Sequence, residues 1–147
     1  MNRRRLFSFA LFGVVILILA ACRPEAAPTP KPPPTPVDAV GVVTSFYDAL
    51  NAKRVDVAMT SVSEDAIFTG VFGYLKGRES IRSFLQINAE LSFTYEVSDL
   101  TETNGRVTYT YRFSGNPNNP RTYGGSDGLA VVENGKITYN GDVASAP

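Results

Sequence analysis

From residue 38 onward the apolar period of the chain changes once, and the change divides helices from strands. Val40, Val43, Phe46, Tyr47 and Leu50 recur at helical spacing, with Thr44, Asp48 and Asn51 on the other face. The pattern predicts an amphipathic helix from about Asp38 to Lys53. Asp56 stands where an N-cap would open a short helix through Val57, Ala58, Met59 and Val62. Ala66 to Thr69 reads as a brief strand, followed by a loop containing Gly70, Gly73 and Gly77. A third helix begins near Arg78, with Ile81, Phe84 and Leu85 on one face. Glu79 sits in its first turn, where the helix dipole favours a carboxylate.

From Leu91 the period becomes two. Leu91, Phe93, Tyr95 and Val97 alternate with polar residues, as do Val107, Tyr109, Tyr111 and Phe113. Asn104-Gly105 follows the first run, and Asn134-Gly135 separates Leu129–Val132 from Ile137–Tyr139. Asn-Gly between alternating segments is a hairpin signal, because both central positions of the turn need positive φ. Two hairpins joined by the Gly115–Pro120 loop predict a four-stranded antiparallel meander. Gly124, Gly125 and Gly128 in its third strand predict a bulge or sharp bend. Helices followed by a curved antiparallel sheet make an α+β layout, with the sheet wrapped around the helices. The other sheet face, with Thr108, Thr110 and Arg112, is either solvated or a wet dimer surface.

The segment before this domain has a different character. Arg3, Arg4 and Arg5 precede sixteen mostly apolar residues, Leu6 to Ala21, and the run ends Leu19-Ala20-Ala21-Cys22. Basic n-region, apolar h-region and small residues at the cut site are the layout of a secretory signal. The last four residues resemble the lipobox of bacterial lipoproteins, which implies that Cys22 is acylated and becomes the mature N-terminus. In residues 23–36, seven of fourteen are proline, a composition that holds polyproline II and forms a semi-rigid spacer. The expected organisation is therefore a signal peptide over 1–21, lipidated cysteine and linker over 22–36, and one domain over 37–147. The expected location is the extracytoplasmic face of a cell membrane, with the bilayer as partner through Cys22.

Removing residues 1–21 takes away three arginines and leaves 11 Lys and Arg against 14 Asp and Glu, a net charge of −3. The remaining cations are scattered, so no nucleic-acid partner is expected. With no histidine in the chain, the commonest general base and the usual ligand of catalytic zinc are both missing. No metal and no organic cofactor are expected; acid–base work would fall to carboxylates and tyrosines.

Four segments resemble the SnoaL-like branch of the nuclear transport factor 2-like superfamily. They are Phe46-Tyr47-Asp48-Ala49-Leu50-Asn51-Ala52-Lys53, Ser63-Glu64-Asp65-Ala66-Ile67-Phe68, Gly77-Arg78-Glu79-Ser80-Ile81-Arg82-Ser83-Phe84 and Val131-Val132-Glu133-Asn134-Gly135-Lys136-Ile137. The resemblance implies a cone-shaped α+β barrel, three helices packed in a curved antiparallel sheet, with a pocket between the layers and frequent homodimers. It also implies a place for isomerase chemistry, which needs a carboxylate base and two acidic donors. In this chain those three positions fall on Gly70, Phe46 and Asp127. Gly70 cannot take a proton and Phe46 cannot donate one.

The candidate binding residues are therefore Tyr47, Phe72, Tyr74, Tyr95, Tyr109 and Asp127. The aromatic row either fills the core or lines an apolar cavity with a few phenol hydroxyls, suited to a flat hydrophobic ligand. Tyr74 is expected at the mouth of such a cavity. Asp127 either faces the pocket or caps backbone amides at the bulge. No catalytic residue is assigned, Asp127 being the nearest to one. The expected function is binding of a small apolar or aromatic ligand, or of a protein partner, without catalysis. A cyclase, isomerase or hydratase acting on a polyketide- or steroid-like substrate is the alternative, and a dimerising assembly module with a filled cone is the second.

Overall fold

Asp38 opens the first helix, its carboxylate accepting from the Gly41 amide at 2.8 Å. The helix, α1, runs Ala39–Asn51 and buries Val43, Phe46, Tyr47 and Leu50, the stripe that the sequence marks. The computed structural model describes residues 37–70, 73–115 and 122–146. The signal segment, Cys22, the proline-rich stretch, Phe72 and most of the Gly115–Pro120 connection lie outside the described residues. No helix among the described residues is long and apolar enough to cross a membrane.

Helix α2 is Val55–Met59 and helix α3 is Arg78–Glu90. Asp56 does not cap α2 as the sequence suggests. Arg54 holds the N-cap position without a side-chain bond, and Asp56 lies in the first turn, where its carboxylate pairs with Arg82 of α3. The strands are β1 Val62–Gly70, β2 Gly73–Lys76, β3 Thr94–Thr103, β4 Arg106–Ser114, β5 Thr122–Glu133 and β6 Lys136–Asp142. They form one sheet in the order β2-β1-β6-β5-β4-β3. All neighbours are antiparallel except β1 and β6. The expected meander is β3 to β6. The strand that sequence reading missed is β2, hidden among the glycines of the supposed loop. The sheet is curved and unclosed, ending at β2 and β3, and the three helices pack against it.

A further expectation about the strands needs correction. β3 begins at Thr94, because Leu91 caps the end of α3 and Ser92 takes a positive φ of 59°. What holds the start of β3 is the Asn51 side chain, which donates to the Tyr95 carbonyl and accepts from its amide, each at 2.7 Å. One side-chain amide thus supplies the hydrogen bonds of a missing neighbour strand at the sheet edge. Both Asn-Gly turns have positive φ at both residues, as their hairpins require.

The bulge in β5 falls where the glycines predict. Tyr109 pairs with Gly128 and Tyr111 with Gly125, so Ser126 and Asp127 together oppose Thr110. A Cβ on Gly128 would come within 2.5 Å of the Tyr109 ring. Glycine there lets the ring lie across the strand. The core gathers Val43, Phe46, Leu50, Met59, Val62, Ile81, Leu85, Val107 and Ile137 between helices and sheet.

Candidate functional site

Between α1, α3 and the concave face of the sheet the packing leaves a cavity of about 100 Å³. Phe46, Tyr47 and Leu50 face it from α1, and Phe84, Leu85 and Asn88 from α3. Phe68, Thr69, Gly70, Gly73 and Leu75 close one side. Tyr95, Val97, Tyr109, Tyr111, Phe113, Asn140 and Asp142 come from the remaining strands. Among the described residues, eight of those lining the cavity are aromatic. Their rings touch in sequence, Tyr47 to Tyr95 and Tyr109, Tyr109 to Tyr111, and Tyr111 stacked on Phe113 at 5.9 Å.

Three polar clusters interrupt this apolar wall. The Tyr47 and Tyr109 hydroxyls stand 3.0 Å apart. Asn140 ties them together, donating to the Tyr47 hydroxyl at 3.1 Å and accepting from that of Tyr109. Asn88, 4% exposed, donates to the Tyr95 hydroxyl at 3.0 Å. Nearer the surface, the Tyr111 hydroxyl donates to Asp142 Oδ1 at 2.9 Å. Every buried side-chain nitrogen and oxygen among the described residues has a partner. The network therefore costs little desolvation while leaving phenols and amides facing the cavity.

Burial raises the pKa of Tyr47. It pushes Tyr95 up to about 12 and Tyr109 well above its ordinary value, Tyr109 being raised further by the neighbouring Tyr47. Tyr111 is also pushed to about 12, by burial first and then by its bond to Asp142. All four phenols are neutral at physiological pH and serve as hydrogen-bonding groups rather than bases.

Of the residues singled out from sequence, Tyr47, Tyr95 and Tyr109 line the cavity. Tyr74 does not: it is 61% exposed on β2, while its neighbour Leu75 points inward by strand alternation. Asp127 is exposed on the bulge and is not among the lining residues. Phe72 and Cys22 lie outside the described residues. Tyr139, in the strand that follows the second Asn-Gly turn, bonds Thr69 and the Asp142 carbonyl and does not line the cavity. Phe46 and Gly70 do line it, so two of the three positions of the isomerase pattern place no ionisable group there.

Asn88, Asn140 and Asp142 were missed. Asn88 had a legible signal, a polar residue continuing the Ile81–Leu85 stripe of α3. Asn140 had none. A register shift between β5 and β6 pairs Val131 with Tyr139 but Val132 with Ile137, so Thr138 is extra and inverts the parity beyond it. Asn140-Gly141-Asp142 also reads as a turn rather than a strand end. Among the described residues no group of three or more Cys, Asp or Glu could hold a metal.

Residues 43–140 match the SnoaL-like domain, and the chain belongs to that family, within the nuclear transport factor 2-like superfamily. Among curated proteins no relative matches. Solved structures of the same fold include a nuclear transport factor 2-like protein of unknown function from Cytophaga hutchinsonii. It is 26% identical, with a TM-score of 0.62 over 73% of this chain and 89% of that one. An epoxide hydrolase from M. tuberculosis is 19% identical, with a TM-score of 0.62 over 71% and 80% of the two chains. A protein with a ketosteroid isomerase-like fold from Catenulispora acidiphila, in complex with trimethylamine, is 17% identical, with a TM-score of 0.58 over 69% and 82%.

Proposed function

We propose that this chain is an extracytoplasmic lipoprotein whose SnoaL-like domain binds a compact, largely apolar molecule in its cone without acting on it chemically. The observation that carries the reading is the cavity itself, about 100 Å³ and walled by aromatic rings. An engineered apolar cavity of ~150 Å³ holds benzene, whereas pockets for drug-sized ligands run from ~300 Å³. Size thus favours a ligand of a few heavy atoms over a steroid or polyketide. The trimethylamine held by the Catenulispora protein is a ligand of that compactness. The neutral phenols and the glycine at position 70 argue for binding rather than proton abstraction.

The binding test is calorimetry or ligand-detected NMR on the full chain with phenol, indole and benzyl alcohol. Saturable binding that weakens in Tyr109→Ala is the expected outcome; no binding by any of the three, nor by trimethylammonium, at millimolar concentration would overturn the reading. Anchoring through Cys22, with residues 23–36 as spacer, rests on the sequence pattern and has its own test. In a bacterial host the wild-type chain should fractionate with membranes and incorporate labelled fatty acid. Cys22→Ala should do neither, and equal labelling of the two would dispose of the anchor.

A further inference from the structure

Of the charged residues that line the cavity among the described residues, Glu96, Arg112 and Asp142, two are acidic. Tyr111 donates to Asp142 at 2.9 Å, and a second carboxylate stands close by. A Cβ on Gly125 would lie 2.7 Å from Asp127 Oδ1 and 3.4 Å from the Tyr111 hydroxyl, which puts those two groups within 6.1 Å of each other. Gly125 has no side chain to fill the space in front of them. The only cationic residue lining the cavity among the described residues, Arg112, stands opposite Glu96 in the β3–β4 register. Tyr47, Tyr95, Tyr109 and Phe113 line the same cavity.

Resting on the binding reading above, we propose that the ligand is a small organic cation. Its alkylated ammonium group sits at Tyr111 between Asp142 and Asp127, and its carbon substituents lie among the rings. The chemistry is complementary on both counts. Aromatic faces carry negative quadrupole density and attract ammonium groups, more so where water is excluded. A quaternary or tertiary ammonium is more weakly hydrated than a primary one and offers methyl groups to an apolar wall. An anion would meet two carboxylates beside Tyr111, and a neutral molecule of the same shape would gain only the apolar contact. The same two carboxylates, after burial and the bond to Asp142, add to the raising of the Tyr111 pKa.

The test uses a charge pair of one shape, choline and its carbon isostere 3,3-dimethylbutan-1-ol, titrated calorimetrically into the full chain, with tetramethylammonium as a third probe. Choline should bind at least tenfold more tightly than the isostere, a factor within the range of a desolvated cation–π site. Asp142→Asn keeps an oxygen for the Tyr111 hydroxyl but removes the charge, and should bring the ratio of the two affinities toward one. Asp127→Asn should lower the ratio less. A ratio near one in the wild-type protein overturns the cation while leaving the binding reading intact. So does failure of all three probes where phenol or indole binds. Failure of these probes and of the neutral panel together removes both. Because the readout is a ratio of isosteric ligands, a variant that is merely less stable does not mimic the expected result.

Discussion

At the residue scale the site is governed by how few groups hold its polar atoms. Asn140 bonds two buried phenols, and among the described residues no other side chain bonds the Tyr47 or Tyr109 hydroxyls apart from each other. Asn140→Leu should therefore destabilise the domain by about 1–3 kcal/mol, the cost of leaving buried polar groups unpaired. Combining it with Tyr109→Phe should cost less than the sum, because the two residues share one network. Urea denaturation of the four proteins in the cycle measures this, and strict additivity would mean that the network contributes no coupling. The raised phenol pKa values give a second expectation. A group that holds its proton more tightly when folded stabilises the native state fully below its unfolded pKa, and loses that contribution as pH rises through the folded value. For Tyr95 and Tyr111 that window is roughly pH 10 to 12. The urea midpoint should hold level up to about pH 10 and then fall, with tyrosinate absorbance lagging behind that of the unfolded chain. A midpoint already falling between pH 8 and 9.5 would contradict it.

Elements show which parts of the fold the sequence could carry. Helices α1 and α3 were legible because their apolar stripes persist for three turns, and the hairpins because Asn-Gly leaves the backbone few alternatives. β2 was not. A four-residue strand that starts on Gly73 and stops before Gly77 has no period to read, and it exists only because β1 offers it an edge. The site suffered similarly, since the inward position of Asn140 depends on a register shift that no local pattern announces. Edge strand β3 poses a sharper question, because its first residues lack a strand on one side. Asn51 takes that place with two bonds to Tyr95. Asn51→Ala should cost about 1–3 kcal/mol, counting about 0.5–1.5 for each bond lost. The loss should be local, with hydrogen-exchange protection falling over Thr94–Val97 while the centre of β4 keeps its own. Asn51→Asp, which keeps the acceptor and loses the donor, should fall between. Uniform loss of protection across the sheet would show that Asn51 supports the whole domain rather than its edge.

For the whole molecule, a void of about 100 Å³ in a domain this small is a stability cost that a ligand can recover. At ~24 cal/mol per Å³ the unfilled cavity forgoes on the order of 2 kcal/mol, a sizeable share of the 5–15 kcal/mol of a typical domain. Two ways of filling it should then compete. A bound ligand at 100 times its Kd adds about 2.7 kcal/mol, which for a domain near 100 residues raises Tm by roughly 10 °C. A side chain grown into the space should do part of the same work permanently. Val97 lines the cavity from β3 and is half-buried, so Val97→Phe can extend a ring into it without displacing the helices. The expected result is a ligand-free Tm equal to or above that of wild type, and no further rise when ligand is added. If Val97→Phe instead lowers Tm by several degrees and the ligand still stabilises it fully, the ligand binds elsewhere. The cone would then be scaffold rather than site.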